Sequence, residues 1–158
     1  VRWYQYAVFT PVFRTHGKRP NNEAWTIGGD SYPHIRAAML LRERLRPYVM
    51  TQMKLASEKG LPPMRPVFFD FADDPKTAEA EDQFLFGPDL LVAPITRYEM
   101  RSRKVYLPIG AEWTDAWTGK KLQGGQVVEA DAPIEGIPVY VRGNNPGLVE
   151  LFKELYSE

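Results

Sequence analysis

The sequence predicts an α+β fold in which a helical part, up to about residue 62, precedes an antiparallel β-sandwich. Two observations carry this prediction. Between residues 31 and 59, apolar side chains recur every three or four positions, which is the spacing of one buried helix face. From Leu61 onward, short apolar runs alternate with Gly, Pro, Asp and Asn turns about every ten residues, which is typical of a sandwich.

The helical part begins with an aromatic segment. Residues Trp3–Phe9 are predicted to end a helix, which Thr10-Pro11 stops because proline lacks the amide donor. Val12-Phe13 is then a short strand candidate. Residues 17–30, with paired asparagines and paired glycines, are predicted to form a loop.

One long helix is expected over residues 31–59. Asp30 or Ser31 is its candidate N-cap, Pro47 predicts a kink near Arg46, and Gly60 is the expected stop. Its predicted buried face carries Ile35, Ala38, Leu41, Leu45, Tyr48, Val49, Met53 and Ala56.

Six segments of the second part are strand candidates. They are Pro66–Phe71, Leu90–Ile95, Lys104–Leu107, Trp113–Trp117, Val127–Ala130 and Ile137–Arg142. Asp73-Asp74-Pro75 is expected to open a short helical stretch that runs to Glu81. After Asn144-Asn145-Pro146 a terminal helix is expected, with one apolar face that carries Leu148, Leu151, Phe152 and Leu155.

Composition excludes several classes of protein. Of the 158 residues, 44% are hydrophobic, and 20 basic side chains balance 20 acidic ones, which argues against a nucleic-acid partner. No apolar run reaches about 18 residues, so no membrane partner is expected. The absence of cysteine excludes disulfides and thiolate metal sites, and it favours a cytoplasmic location.

His16 is the binding residue that the sequence singles out. It ends the Val12-Phe13 strand candidate just before Gly17, and barrel folds place binding groups where strands open into loops. Arg14, two residues earlier, is expected on the same strand face. A neutral imidazole here can donate to a sugar hydroxyl or a carbonyl, although spacing alone favours a structural, hydrogen-bonded histidine.

The remaining polar residues have structural explanations. Helix capping explains Asp30, and turns or caps explain Asp73, Asp74, Asp89 and Asp115. The spacing of residues therefore yields no complete pair of catalytic carboxylates.

No metal or cofactor is expected. His34 is predicted to be a surface or capping residue, and neither histidine has a second ligand at metal-binding spacing. The sequence contains no P-loop, dinucleotide fingerprint or nucleophile elbow. Trp113 and Trp117 are expected on one face of a strand, either in the core or as a platform for stacking sugars.

Several motifs resemble those of glycoside hydrolase family 31, which contains α-glucosidases and α-xylosidases. Arg2–Gly17 (RWYQYAVFTPVFRTHG) resembles the family stretch R-W-x-Q-[YF]-[GA]-x-F-[ST]-P-x-[FM]-R-x-H-G. The other motifs follow in family order: Glu23-Ala24-Trp25, Leu45–Tyr48, Met64–Pro66, Phe86–Pro94, Val105–Pro108, Trp113–Gly119 and Ile137–Arg142.

The resemblance implies a domain organisation and a site. Residues 1–62 would form the C-terminal end of a (β/α)8 barrel, residues 63–145 the proximal β-sandwich, and residues 146–158 a helical tail. His16 would hydrogen-bond the sugar at the cleavage subsite, and Phe13 and Arg14 would shape that wall.

The resemblance also implies an activity. It implies a retaining enzyme that hydrolyses terminal α-linked glucosides or xylosides. Two aspartates would carry out the reaction, one as the nucleophile and the other as the general acid/base. Both aspartates lie upstream of the motif that ends in His16, so neither is expected in this chain. The chain alone is therefore predicted to be inactive.

The expected partners follow from this reading. They are an α-linked oligosaccharide or glycoside and the remainder of the barrel, as an upstream segment or a partner chain. Val1 in place of Met predicts a chain cut from something longer. An exposed stripe around Trp3, Tyr6, Phe9 and Ile35 is expected to favour homo-oligomers. A non-catalytic carbohydrate-binding module and a purely structural sandwich are the alternatives.

Overall fold

The computed structural model describes residues 1–18, 20–153 and 155, in which helices cover one face of a six-stranded sheet and a two-stranded ribbon covers the other. The helices are α1 (Arg2–Ala7), α2 (Ser31–Arg44), α3 (Arg46–Lys59) and α4 (Pro146–Glu150). Short 3₁₀ turns cover Ala24–Thr26, Val67–Phe69 and Pro75–Glu79. Within the described residues, no helix has the length and apolarity that a membrane crossing requires.

The strands all pair antiparallel. They are β1 (Met64–Pro66), β2 (Phe84–Phe86), β3 (Leu90–Val92), β4 (Ser102–Leu107), β5 (Glu112–Asp115), β6 (Lys121–Gln123), β7 (Gln126–Asp131) and β8 (Val139–Arg142). The six-stranded sheet has the order β1-β2-β3-β8-β5-β6, and β4 pairs with β7 in the ribbon. The predicted α+β class with antiparallel sheets is confirmed.

The central strands supply two separate cores. Leu85, Leu91 and Tyr140 lie side by side in register and face the ribbon. The opposite face, toward the helices, carries Phe86, Leu90, Val92, Val139 and Val141. Because both faces are covered, β2 and β3 are apolar at every position and β8 is apolar up to Arg142, so their sequences show continuous runs instead of alternation.

The long predicted helix is present but interrupted. Leu45 separates α2 from α3, although its amide still donates to Leu41 O and its carbonyl accepts from Val49 N, both at 2.9 Å. Pro47 lies in the first turn of α3, where its missing amide costs little. Gly60 ends α3 at a φ of 67°, as expected.

Two details of this helix differ from the prediction. Met53 is 39% exposed, so the buried face does not extend that far along α3. Asp30 occupies the N-cap position without a capping bond. Its backbone is helical (φ −66°, ψ −8°), whereas a capping side chain normally needs an extended backbone.

Several predicted strands were wrong. Val12-Phe13 has no regular secondary structure and belongs to no ladder among the described residues, and a strand cannot form without a partner. In Pro66–Phe71 only the first residue is in a strand, since Val67–Phe69 turns into a 3₁₀ helix that buries Val67 in the ribbon core. The two short strands β2 and β6 were not predicted.

The exposed stripe was only partly right. Trp3 is 79% exposed, but Phe9 and Ile35 are each 1% exposed. Phe9 is covered because Phe152, just after α4, stacks on it with ring centroids 6.3 Å apart. Of the predicted tail, residues 154 and 156–158 lie outside the described part of the chain.

Candidate functional site

Phe13, Arg14 and His16 lie together on one wall of a surface cleft of about 170 Å³. The segment that carries them has no regular secondary structure and follows α1 after a turn over residues 8–11. The opposite wall comes from α1, through Trp3, Tyr4 and Ala7. These three positions share one helix face because residues three and four apart are neighbours on a helix.

Arg14 and His16 form a hydrogen bond, with Arg14 Nη2 2.6 Å from His16 Nδ1. A guanidinium has donors and no acceptor, so Nδ1 must be the acceptor. The imidazole is therefore neutral and carries its proton on Nε2. Both side chains are exposed, which leaves the Nε2–H and the other guanidinium donors in reach of a ligand.

Phe13 anchors this wall in the molecule. Its ring is half-buried against the helix-side core and meets Tyr4 edge to face, with centroids 6.0 Å apart. The Tyr4 hydroxyl is buried and has no hydrogen-bond partner among the described residues. Trp3 and Tyr4 were missed as lining residues, although the helical spacing of positions 3, 4 and 7 contained the signal.

The sandwich fixes α1 in place. Arg2 donates to three carbonyls of the loop before β8, and the buried Gln5 amide donates to Ile134 O at 2.7 Å. The loop carbonyls that accept from Arg2 are those of Ala132, Pro133 and Gly136. These hydrogen bonds hold α1, and with it the cleft, against the β part of the molecule, in addition to the contact between α1 and α2.

The loop after His16 turns at Gly17, whose φ of 152° favours glycine. Asn22 stabilises this turn by donating from Nδ2 to Gly17 O at 2.8 Å. Trp25, in the 3₁₀ turn that follows, is 65% exposed. The loop therefore places another large aromatic side chain at the surface.

The buried acidic residues have structural partners. Asp74 Oδ2 accepts from Tyr106 Oη at 2.7 Å and from Ile109 N at 2.9 Å, and its Oδ1 caps the 3₁₀ turn at Lys76 N. Burial opposes ionisation, but these hydrogen bonds outweigh it and lower the pKa of Asp74. Asp70 pairs with Arg65 at 2.9 Å.

No cluster of three potential metal ligands occurs in the part of the chain that the structure describes. His34 lies half-buried in the first turn of α2 and belongs to no such group of described residues.

Trp113 and Trp117 both pack in cores, which was the favoured interpretation, and the alternative of a two-tryptophan platform was wrong, as was their placement on one strand face. Trp113 is fully buried in the ribbon core, and its indole donates to Pro108 O at 3.2 Å. β5 ends at Asp115, whose Oδ1 accepts from Trp117 N and so turns that ring into the helix-side core. The two rings therefore belong to different cores and cannot stack on one ligand.

Trp117 also borders a groove of about 880 Å³, together with the β5–β6 turn and β7. Tyr140 lines this groove, and its burial, helped by Asp115 and Asp131, raises its pKa to about 12. The phenol therefore stays protonated at neutral pH.

Comparison with known proteins identifies relatives for both parts of the chain. The family description "Glycosyl hydrolases family 31 TIM-barrel domain" matches residues 1–52, and "Glycosyl hydrolase family 31 C-terminal domain" matches residues 60–145. Among curated proteins, an α-xylosidase of Saccharolobus solfataricus is 34% identical over 142 residues, which are 90% of this chain and 19% of that protein. α-Glucosidase 2 of Bacillus thermoamyloliquefaciens is 38% identical over 144 residues, which are 89% of this chain and 18% of that protein.

Solved structures agree with these matches. A family 31 α-xylosidase from a soil metagenome, crystallised with xylose, superposes with a TM-score of 0.88 at 45% identity. The match covers 95% of this chain and 25% of that one. The chain thus spans about a fifth of the length of the curated relatives that it matches.

Proposed function

The chain belongs to glycosyl hydrolase family 31, and on that premise we propose that it is the C-terminal portion of a retaining α-glycosidase for terminal α-linked glucosides or xylosides. Residues 1–62 would supply the end of the barrel, residues 63–145 the proximal sandwich and residues 146–158 a tail. The observation that carries the proposal is the cleft in which Phe13, Arg14 and His16 lie together.

Each of these side chains has a role that suits a sugar. The Nε2–H of His16 donates to a sugar hydroxyl, since its Nδ1 already accepts from Arg14. The remaining donors of Arg14 reach a second oxygen, because a guanidinium carries five N–H groups. Phe13 gives the apolar C–H face of the sugar a surface to pack against.

The catalytic carboxylates come from elsewhere in this proposal. A retaining glycosidase needs two carboxyl groups about 5–5.5 Å apart across the scissile bond. Asp70 pairs with Arg65, and Asp74 accepts from Tyr106. These structural contacts support the proposal that another segment supplies the two catalytic carboxyl groups. The chain alone therefore hydrolyses nothing.

Exposed apolar side chains in the helical part support the remainder of a barrel as the partner. Trp3, Val12 and Trp25 are 79%, 66% and 65% exposed. Large apolar groups left in water at this density indicate a surface that another segment covers. This partner lies upstream in the same polypeptide or on a separate chain.

The test compares the pure chain with a chimaera. In the chimaera, this chain replaces the matching quarter of the soil-metagenome α-xylosidase. Nitrophenyl α-xyloside and α-glucoside are the substrates, and released nitrophenol is measured. We expect no turnover by the chain and clear turnover by the chimaera.

Two results would contradict the proposal. One is turnover by the pure chain that survives repeated purification, because the chain would then hold its own carboxylate pair. The other is a folded chimaera that binds no glycoside. The same α-xylosidase without any replacement is the positive control.

A further inference from the structure

Arg42, on α2, reaches across to the segment that leads into the cleft. Its Nη1 donates to Val8 O at 2.6 Å and to Thr10 O at 2.7 Å, and its Nη2 donates to Pro11 O at 3.1 Å. One guanidinium thus binds three carbonyls within four consecutive residues. The forked guanidinium suits this arrangement because its donors lie on separate nitrogens, whereas the three donors of a lysine ammonium share one nitrogen.

The three carbonyls follow α1, which ends at Ala7: Val8 is its C-cap, and Thr10 and Pro11 lie in the turn beyond it. A turn has no regular ladder of backbone hydrogen bonds, so its carbonyls need other donors. Apart from Arg42, the side-chain bonds of this turn come from Thr10, whose Oγ1 donates to Ala7 O or Val12 O at 2.8 and 2.9 Å. No ladder of the described strands includes residues 12–17.

The guanidinium itself is held firmly. It is half-buried, with its Cζ 6.0 Å from the centroid of Phe86, a fully buried ring of the central sheet. Burial lowers the pKa of Arg42, yet arginine keeps its charge in proteins. Arg42 therefore connects the rigid sheet to the segment that precedes Phe13.

We propose that Arg42 is a positioning residue that fixes the backbone of residues 8–11 and thereby sets where Phe13, Arg14 and His16 stand in the cleft. The effect of Arg42 on substrate binding rests on the proposed function, whereas its stabilisation of the backbone of residues 8–11 does not. Arg42 hydrogen-bonds backbone carbonyls of residues 8–11, whereas Arg14 and His16 bond each other, so its effect on these two side chains passes through the backbone.

The first experiment uses the chain alone and native-state trypsin. Cleavage between Arg14 and Thr15 requires local opening of the segment. We expect Arg42→Met to speed this cleavage about tenfold and Arg42→Lys to speed it less, because an ammonium keeps the charge and some of the donors but presents them from one nitrogen. Arg36→Met, on the exposed face of the same helix, is the matched control and should leave the rate unchanged.

Cleavage after Lys120, in the β5–β6 turn, separates a local effect from general loss of stability. If Arg42→Met accelerates both sites equally, or neither, the proposal is wrong. Should Arg42→Met not fold, Arg42→Lys is compared with Arg36→Lys at the same two sites, and equal rates at Arg14 would again overturn it.

The second experiment uses the chimaera and asks whether Arg42 acts through His16. We expect Arg42→Met and His16→Ala each to lower kcat/KM, and the double variant to lose clearly less than the product of the two single losses, since part of the Arg42 effect acts through His16. Independent, additive losses would show that Arg42 does not act through His16. If His16→Ala has no effect, the proposed function fails, while the trypsin result still decides the hold of Arg42.

Discussion

Arg14 and His16, two residues apart, determine which nitrogen of the imidazole carries the proton. The resemblance of Arg2–Gly17 to a family motif made this pair predictable. The contacts of Arg42 were not predictable, because its acceptors are backbone carbonyls, which every residue has. The helical spacing of Trp3, Tyr4 and Ala7 indicates that they share one face of α1, but that this face lines the cleft depends on how α1 packs.

The first prediction concerns the His16 tautomer. Nitrogen-15 spectra of the imidazoles should show the Nε2–H form at pH 8, because Nδ1 accepts from Arg14. Arg14→Met removes that donor, so the signals should shift toward a tautomer mixture. Only two histidines contribute, and His16→Ala assigns them. A spectrum of His16 that is unchanged in Arg14→Met would contradict the geometry.

The second prediction concerns Asp74 and acid stability. Its pKa is lowered in the folded state, so its stabilising effect is full above the unfolded value near 3.9 and is lost as pH falls. Asp74→Asn should therefore cost about 1–3 kcal/mol of unfolding free energy at pH 7. The difference from the unmodified chain should shrink below about pH 4.

Urea denaturation at several pH values measures this difference. Asp73→Asn, at the exposed neighbouring position, is the matched control and should change stability by less than about 0.5 kcal/mol. A cost for Asp74→Asn that is the same at pH 7 and pH 3 would show that the carboxylate charge is not involved.

At the scale of elements, long helices were easier to predict than short strands. The stripe of α2 and α3 has many positions, so its period is clear even with the break at Leu45. β2 and β6 have three residues each, and their neighbours in the sheet determine them. Local propensity cannot reveal a partner that is distant in the chain.

The third prediction concerns α4 and the residues after it. Phe152 is 3% exposed, stacks on Phe9 and meets Trp117 edge to face at 5.2 Å. Phe152→Ala should lower the free energy of unfolding by about 3 kcal/mol, because it leaves a cavity in the helix-side core. Glu150→Ala, which loses only an exposed ion pair, should cost at most about 1 kcal/mol. Equal losses of unfolding free energy in Phe152→Ala and Glu150→Ala would mean that Phe152 does not pack in the helix-side core.

At the scale of the whole molecule, the helices and the sandwich share the helix-side core. Leu41 of α2 and Val141 of β8 belong to the same cluster of buried residues. The sequence indicated a helical part and a β part but could not indicate that they close over each other. The burial of Phe9 and Ile35 follows from this closure, and so does the failure of the predicted exposed stripe.

The fourth prediction concerns self-association. Trp3 and Trp25 remain exposed, so the chain should form oligomers whose mass rises with concentration in analytical ultracentrifugation. Replacing both tryptophans with serine should weaken association at least tenfold. Tyr98→Ser, at a 93% exposed position in the loop between β3 and β4, is the control and should have no effect. If the chain is a monomer at every concentration, the proposal that Trp3 and Trp25 belong to a surface that a partner covers is contradicted.

The most direct test of the sugar site is kcat/KM of the chimaera for nitrophenyl α-xyloside after His16→Ala. His34→Ala, at the other histidine, is the matched control. We expect about a 100-fold loss for His16→Ala, the size that follows removal of one donor to a transition state, and less than about a twofold change for His34→Ala. Equal activity of the two variants would contradict a role for His16 in holding the substrate.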